Sequence, residues 1–287
     1  YYIADDTGKV YDRGSEKLSE VKNYRVSQLA IFQVAIPEVK APVKVKLWMH
    51  FSSEEYELTN AWEYWIYPKE APYFGKVEDK SALQAEERKE GSGTAEVCVT
   101  DKLDGELLAR LAKGERVLLL GSNPFPSVKT SFQIMTAGRP QGLNATVIYE
   151  HPVTNCLAHE GYCDWQFAPM MEDGMTVVFN DAPAPFSPIM EMVSGYKIIR
   201  KQASMFELNV GAGRLFVCSL NLQHKDAGTL YLRSLLEHYV ASESFRPKDS
   251  ITPEALAMWC GRSGIEIDFS TDEGYDVGGH VKKEKPV

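Results

Sequence analysis

The spacing of apolar residues changes once along this chain, and that change limits the architectures open to it. Up to about residue 70 they recur at every second position, in GKVYDRG (8–14), YRVSQLAIFQVAI (24–36), VKVKLWMHF (43–51) and WEYWIYP (62–68), between Gly, Pro and charged turns. A period of two belongs to strands with one apolar face. No helical period interrupts it, so residues 1–70 read as a small antiparallel β-sandwich of immunoglobulin-like type.

Residues 71–94 are charged and carry Pro and Gly, with one short helical stretch at SALQAEERK; they read as a linker. From residue 95 to about 250, strands alternate with helices. AEVCVT is a strand, and Asp101 or Asp104 is placed to cap the helix GELLARLAKG, which Gly114 ends. RVLLLG is a continuous apolar run, as in a strand buried on both faces. ATVIYE and MTVVFN add strands, DWQFAPMM allows a helical turn or two, and AGTLYLRSLLEHYVAS is a helix. This order predicts an α/β domain with a mostly parallel sheet, its late strands turned back by a hairpin at NVGAGRL. Residues 251–287 are set apart as a C-terminal extension.

The segment 60–70, NAWEYWIYPKE, concentrates aromatic side chains. On a strand, Trp62 and Tyr64 point to one face and Trp65 and Tyr67 to the other. One face is expected in the sandwich core and the other against the α/β domain, so these four residues are expected to mark the domain interface.

A net charge of −9 and a pI near 5.3 argue against a nucleic-acid binder, which usually carries a basic face. No run of 18 apolar residues suits a membrane span. The opening YYIADDTGKV has no Met and reads as the interior of something longer. Cys98, Cys156, Cys163, Cys218 and Cys260 are odd in number and include no C-x-x-C, which argues against a disulfide framework and a zinc site. Cys98 and Cys218 sit in strand-like runs as buried thiols; Cys156 and Cys163 are close enough in sequence to pair.

VGAGRL lacks the third glycine of a dinucleotide fingerprint and joins two strands, so it is a hairpin rather than a phosphate cradle. No G-x-S-x-G elbow presents a nucleophile. His151 and His159 flank a loop with Glu160 and Asp164, at spacings that match no metal signature. Forty acidic residues make some carboxylate pair inevitable, so a glycosidase pair cannot be picked out. No catalytic, cofactor or metal residue is assigned. If the α/β domain carries a dispersed site, its candidates are His151, Asp164, Glu207 and Asn221.

YIADDTGKVYDRG, KAPVKVKLWMHF and NAWEYWIYP together resemble the C-terminal immunoglobulin-like domain of family 2 glycoside hydrolases, the β-galactosidase-like proteins of gut Bacteroidetes. Asn60, Trp62, Trp65, Tyr67 and Pro68 fit its last motif, with Ile66 in place of Val. VIYEHPVTNCLAHEGYCDWQF, FELNVGAGRLFVCSLNL and YLRSLLEHYVASESFRP are similar to the α/β module that follows it, a flavodoxin-like domain akin to a class I glutamine amidotransferase without its catalytic residues. Glu207, Gly211, Gly213, Leu215, Ser219, Leu235 and Phe245-Arg246-Pro247 match recurring positions there. CLAHEGY departs from relatives that carry Phe-Pro before the Trp-Gln pair.

The resemblance covers residues 1 to about 250. It implies a non-catalytic accessory portion that buttresses an upstream catalytic barrel of the same polypeptide, or an oligomer, in a periplasmic or secreted protein acting on carbohydrate. It implies no cofactor. Two other readings stand beside it: the α/β domain as a carbohydrate-binding module with exposed Trp or Tyr as a stacking platform, and an enzyme using the four dispersed candidates.

Overall fold

A computed structural model of the chain describes residues 1–18, 26–74, 96–130, 132, 145–193 and 199–261. They form two compact units. One is Tyr1–Lys69 together with Cys156–Ala158; the other comprises Glu70–Asn155 and the residues from His159 onward.

In the first unit, β1 (Tyr2–Asp5), β2 (Val10–Arg13), β3 (Val43–Ser52) and β4 (Glu57–Ile66) make one antiparallel sheet in the order β2-β1-β3-β4. Asp5 closes the β1–β2 turn by accepting from the Thr7 hydroxyl, the Tyr11 hydroxyl and the backbone N–H of Thr7 and Lys9. These bonds, that of the Thr7 hydroxyl first, hold its carboxyl below the ordinary aspartate range. Ile3, Val45 and Ile66 are buried together, with Tyr11, Val34, Val39 and Val43 against them.

The run 26–36, expected as a strand, belongs to no sheet. It crosses as a strap instead: the Ala35 N–H donates to the Asp12 carboxylate (2.9 Å), Tyr1 packs on Phe32, and Val34 enters the core. Alternation from 31 to 35 places Val34 inward and leaves Ile31 exposed, Ile36 breaks it by being exposed as well, and no neighbouring strand completes a ladder. The aromatic strand also differs from expectation. Ile66 is buried, yet Trp62 and Tyr64, on the same face of β4, are 41% and 50% exposed. Trp65 and Tyr67 are half-buried; the Trp65 indole N–H donates to the Ala158 carbonyl (3.2 Å), and Lys44 Nζ lies 5.7 Å from its ring centre.

The second unit opens with β5 (Val97–Thr100), α1 (Gly105–Ala112) and β6 (Arg116–Leu120). Asp104 caps α1 by accepting from the Leu107 N–H (2.9 Å), and Gly114 follows its end. Next come β7 (Ser127–Lys129), β8 (Ala145–Ile148), α2 (Ala168–Met171), β9 (Met175–Val178) and β10 (Met190–Val193). The unit ends with β11 (Gln202–Val210), β12 (Gly213–Cys218), α3 (Ala227–Ala241), β13 (Ser250–Ile251) and α4 (Pro253–Cys260).

Its main sheet has the order β5-β6-β12-β11-β10-β8, and β7, β9 and β13 join it. The sheet is mixed, not mostly parallel. β5, β6 and β12 run parallel and β13 runs parallel to β11, whereas β10 is antiparallel to β8 and β11, and β9 to β7 and β11. A parallel neighbour needs a crossover of about a dozen residues or more. The stretch from Val193 to Gln202 is too short for one, and the β11–β12 turn is a hairpin.

One side of the sheet packs Leu107, Leu111, Phe206, Leu208, Leu256 and Trp259 into a shared core. Residues 251–260 are thus part of this unit rather than an extension beyond it; Trp259 is 1% exposed, edge-on to Phe125 and Phe179. α3 contributes a buried stripe of Leu232, Leu235, Leu236, Tyr239 and Val240. The Arg116 guanidinium donates to the carbonyls of Val240, Ala241 and Ser242, satisfying the end of α3 with a cation. Of the expected linker, residues 71–74 pack here: Tyr73 stacks on His238 at 3.9 Å, and Phe74 lies edge-on to Tyr239. Its remainder, with the helical stretch SALQAEERK, lies outside the described residues.

Candidate functional site

Of the four dispersed candidates, the structure brings His151 and Glu207 together. Glu207 stands on β11, where it alternates with Phe206 and Leu208 and so leaves their apolar core for the opposite side. His151 follows β8, and its Nε2 lies 3.5 Å from Glu207 Oε2. Both side chains are nearly enclosed, at 12% and 13% exposure. Between them stands Tyr239 of α3, which sequence reasoning missed. Its hydroxyl donates to Glu207 Oε2 (3.1 Å) and lies 3.3 Å from His151 Nε2.

This hydroxyl is engaged by both neighbours, the carboxylate and the imidazole. Burial, followed by the Glu207 charge, pushes the phenol well above the usual tyrosine range, so it acts as a donor and not as a phenolate. His151 is fixed from its other nitrogen: the Val153 N–H donates to Nδ1 (3.2 Å). In the neutral ring the proton then sits on Nε2, facing the carboxylate and the phenol. Phe74, Phe216 and Phe245 pack around the Tyr239 ring. The three polar groups tie a strand, a loop and a helix to one another. A signal for Tyr239 does exist in the sequence, since a tyrosine in a leucine-rich helical stripe must find a partner for its hydroxyl.

Asp164 and Asn221 have their own settings. Asp164 caps the short helical turn Trp165–Phe167 by accepting from the Gln166 N–H. Asn221 donates from Nδ2 to the Glu172 carbonyl (3.3 Å), lies 3.2 Å from His224 Nε2, and accepts the Gln223 N–H. Each shapes a local turn.

The G-x-G element is the hairpin expected. Gly211 has φ +58°, and the turn seats against the end of α1, with the Ala212 N–H donating to the Ala112 carbonyl (3.1 Å). A Cβ on Gly213 would overlap the Leu111 carbonyl oxygen, so the second glycine admits a helix end rather than a phosphate. None of the five cysteines forms a disulfide, Cys156 and Cys163 included. Of the two thiols expected to be buried, Cys218 is buried and Cys98 is only half-buried; burial pushes the Cys218 thiol up to about 12 and raises that of Cys98. Among the described residues, no three His, Cys, Asp or Glu side chains are placed to hold a metal ion, and no helix is long and apolar enough to cross a membrane.

A family model described as Domain of unknown function (DUF8487) matches residues 98–260, more than half of the chain. The chain belongs to this family. A second model, Domain of unknown function (DUF8488), matches residues 1–68. No curated protein matches the chain. All four dispersed candidates and Tyr239 lie within the DUF8487 region, and the aromatic strand lies within the DUF8488 region.

Proposed function

We propose that this chain is a non-catalytic accessory portion of a family 2 glycoside hydrolase-like protein, serving to buttress a catalytic barrel or an oligomer. In this reading the antiparallel sheet of the first unit belongs to an immunoglobulin-like domain. The second unit is an amidotransferase-like domain whose site has become structural. The observation that carries the reading is the state of the His151–Glu207–Tyr239 cluster. General acid–base chemistry needs a group that can reach a substrate proton. Here the phenol donates to Glu207, the imidazole Nδ1 is occupied by backbone, and all three side chains are enclosed. The test is incubation of the purified chain with aryl β-galactosides and aryl β-glucuronides. The buffer rate is expected; turnover that co-elutes with the protein and disappears in Glu207→Gln overturns the reading.

A second reading is favoured by one feature, the shared exposure of Trp62 and Tyr64 on one face of β4. Two neighbouring exposed rings offer a stacking surface to a sugar chain. If they bind sugar, oligosaccharide quenches tryptophan fluorescence and Trp62→Ala abolishes the quenching while leaving the melting temperature unchanged.

A further inference from the structure

Two polar side-chain atoms of the second unit lie buried with no hydrogen-bond partner among the described residues: the Thr176 hydroxyl on β9 and the Gln202 amide oxygen on β11. Thr176 is 0% exposed and Gln202 is 1% exposed. Ordinary packing does not leave such groups bare, because each has given up its hydration without replacement.

Their placement links them. In the antiparallel β9–β11 ladder Gln202 stands opposite Val178 and Ala203 opposite Val177. Val177 and Ala203 both point into the core beneath α1 and α4, so Val178 and Gln202 point to the other side. Thr176, next to Val177, points that way too. Thr176 and Gln202 are therefore diagonal neighbours on one face, a relation that sets side-chain origins about 7–8 Å apart or slightly less. The other hydroxyls nearby are occupied: Ser204 and Ser219 both donate to the Met175 carbonyl. Val128, opposite Thr176 on β7, supplies no polar atom.

We propose that Thr176 and Gln202 hold one buried water molecule between β9 and β11, as a constituent of the folded core. Two hydrogen bonds of about 2.8 Å each, added to the reach of the glutamine side chain, span a diagonal pair that a direct bond does not close. Water suits both ends, since it donates to the amide oxygen and donates to or accepts from the threonine hydroxyl. Buried waters of this kind bridge polar groups that the protein leaves unpaired.

Thr176→Val and Gln202→Met preserve shape while removing one polar end each, and the double variant removes both. Under the proposal each single change lowers the thermal midpoint, because the water loses a partner and the remaining group is stranded. The double change then costs less than the sum of the two. Thr176→Ser, which keeps the hydroxyl, leaves the coupling to Gln202→Met in place. A rise in the midpoint on Thr176→Val, or effects of the two changes that simply add, overturns the proposal. So does a high-resolution crystal structure with no solvent density within hydrogen-bonding distance of both side chains.

Discussion

At the residue scale, Tyr239 joins three elements through one hydroxyl. Tyr239→Phe keeps the ring among Phe74, Phe216 and Phe245 but withdraws the donor from Glu207. A stability loss of about 1–3 kcal/mol is expected in urea titration, the cost of stranding an enclosed polar group. Cys218 gives a second expectation. Its thiol ionises near 9 when unfolded and at about 12 in the fold. Between those values the unfolded state holds fewer protons, so stability is unaffected below about pH 9 and falls as pH rises, by about 1.4 kcal/mol per pH unit from this group. Urea titrations across that range should show a shallower decline in Cys218→Ala than in the parent. Sequence reasoning found His151 and Glu207 as chemistry-bearing residues but not the phenol between them. Histidine and glutamate advertise polarity in any context, whereas Tyr239 reads as one more apolar position in its helical stripe.

At the element scale, the hairpin between β11 and β12 locks onto the end of α1. Gly213→Ala is expected to cost about 3 kcal/mol, because the new methyl meets two fixed backbone oxygens, those of Leu111 and Glu115. Gly211→Ala should also destabilise, through its left-handed φ and the Ala112 carbonyl 2.8 Å from the added Cβ, but by less. Chemical denaturation of the two variants checks the order. Elements with local causes were legible in advance: α1 from its Asp104 cap and Gly114 stop, β6 from its apolar run, and the hairpin from its glycines. Sheet direction was not, since it depends on how much chain is left to cross over, and strand-forming residues do not encode that. The strap over the first sheet was missed for a related reason. Residues 26–36 carry the alternation of a strand, but only neighbouring backbone makes one.

For the molecule as a whole, the second unit depends on its last described helix. Trp259 shares a core with Phe125, Phe179 and Phe206, which come from three distant parts of the sequence. A chain ended after residue 250 is therefore expected to lose the cooperative unfolding transition of this unit that the intact chain shows; calorimetry distinguishes them. Trp259→Ala in the intact chain should cost about 3–5 kcal/mol. The position of β11 within the sheet has a consequence for biosynthesis. It pairs with β9, β10, β12 and β13, and β6 reaches it only through β12. As the chain leaves the ribosome, β5 can pair with β6, β7 with β9 and β8 with β10, but these pieces have no central strand to join them until residues 202–218 are out. The four strands of the first sheet, by contrast, lie within one stretch, Tyr2 to Ile66, and precede the second unit. Translation thus completes the first sheet before the second has its central strand, which leaves the apolar surfaces of the second unit exposed for longer.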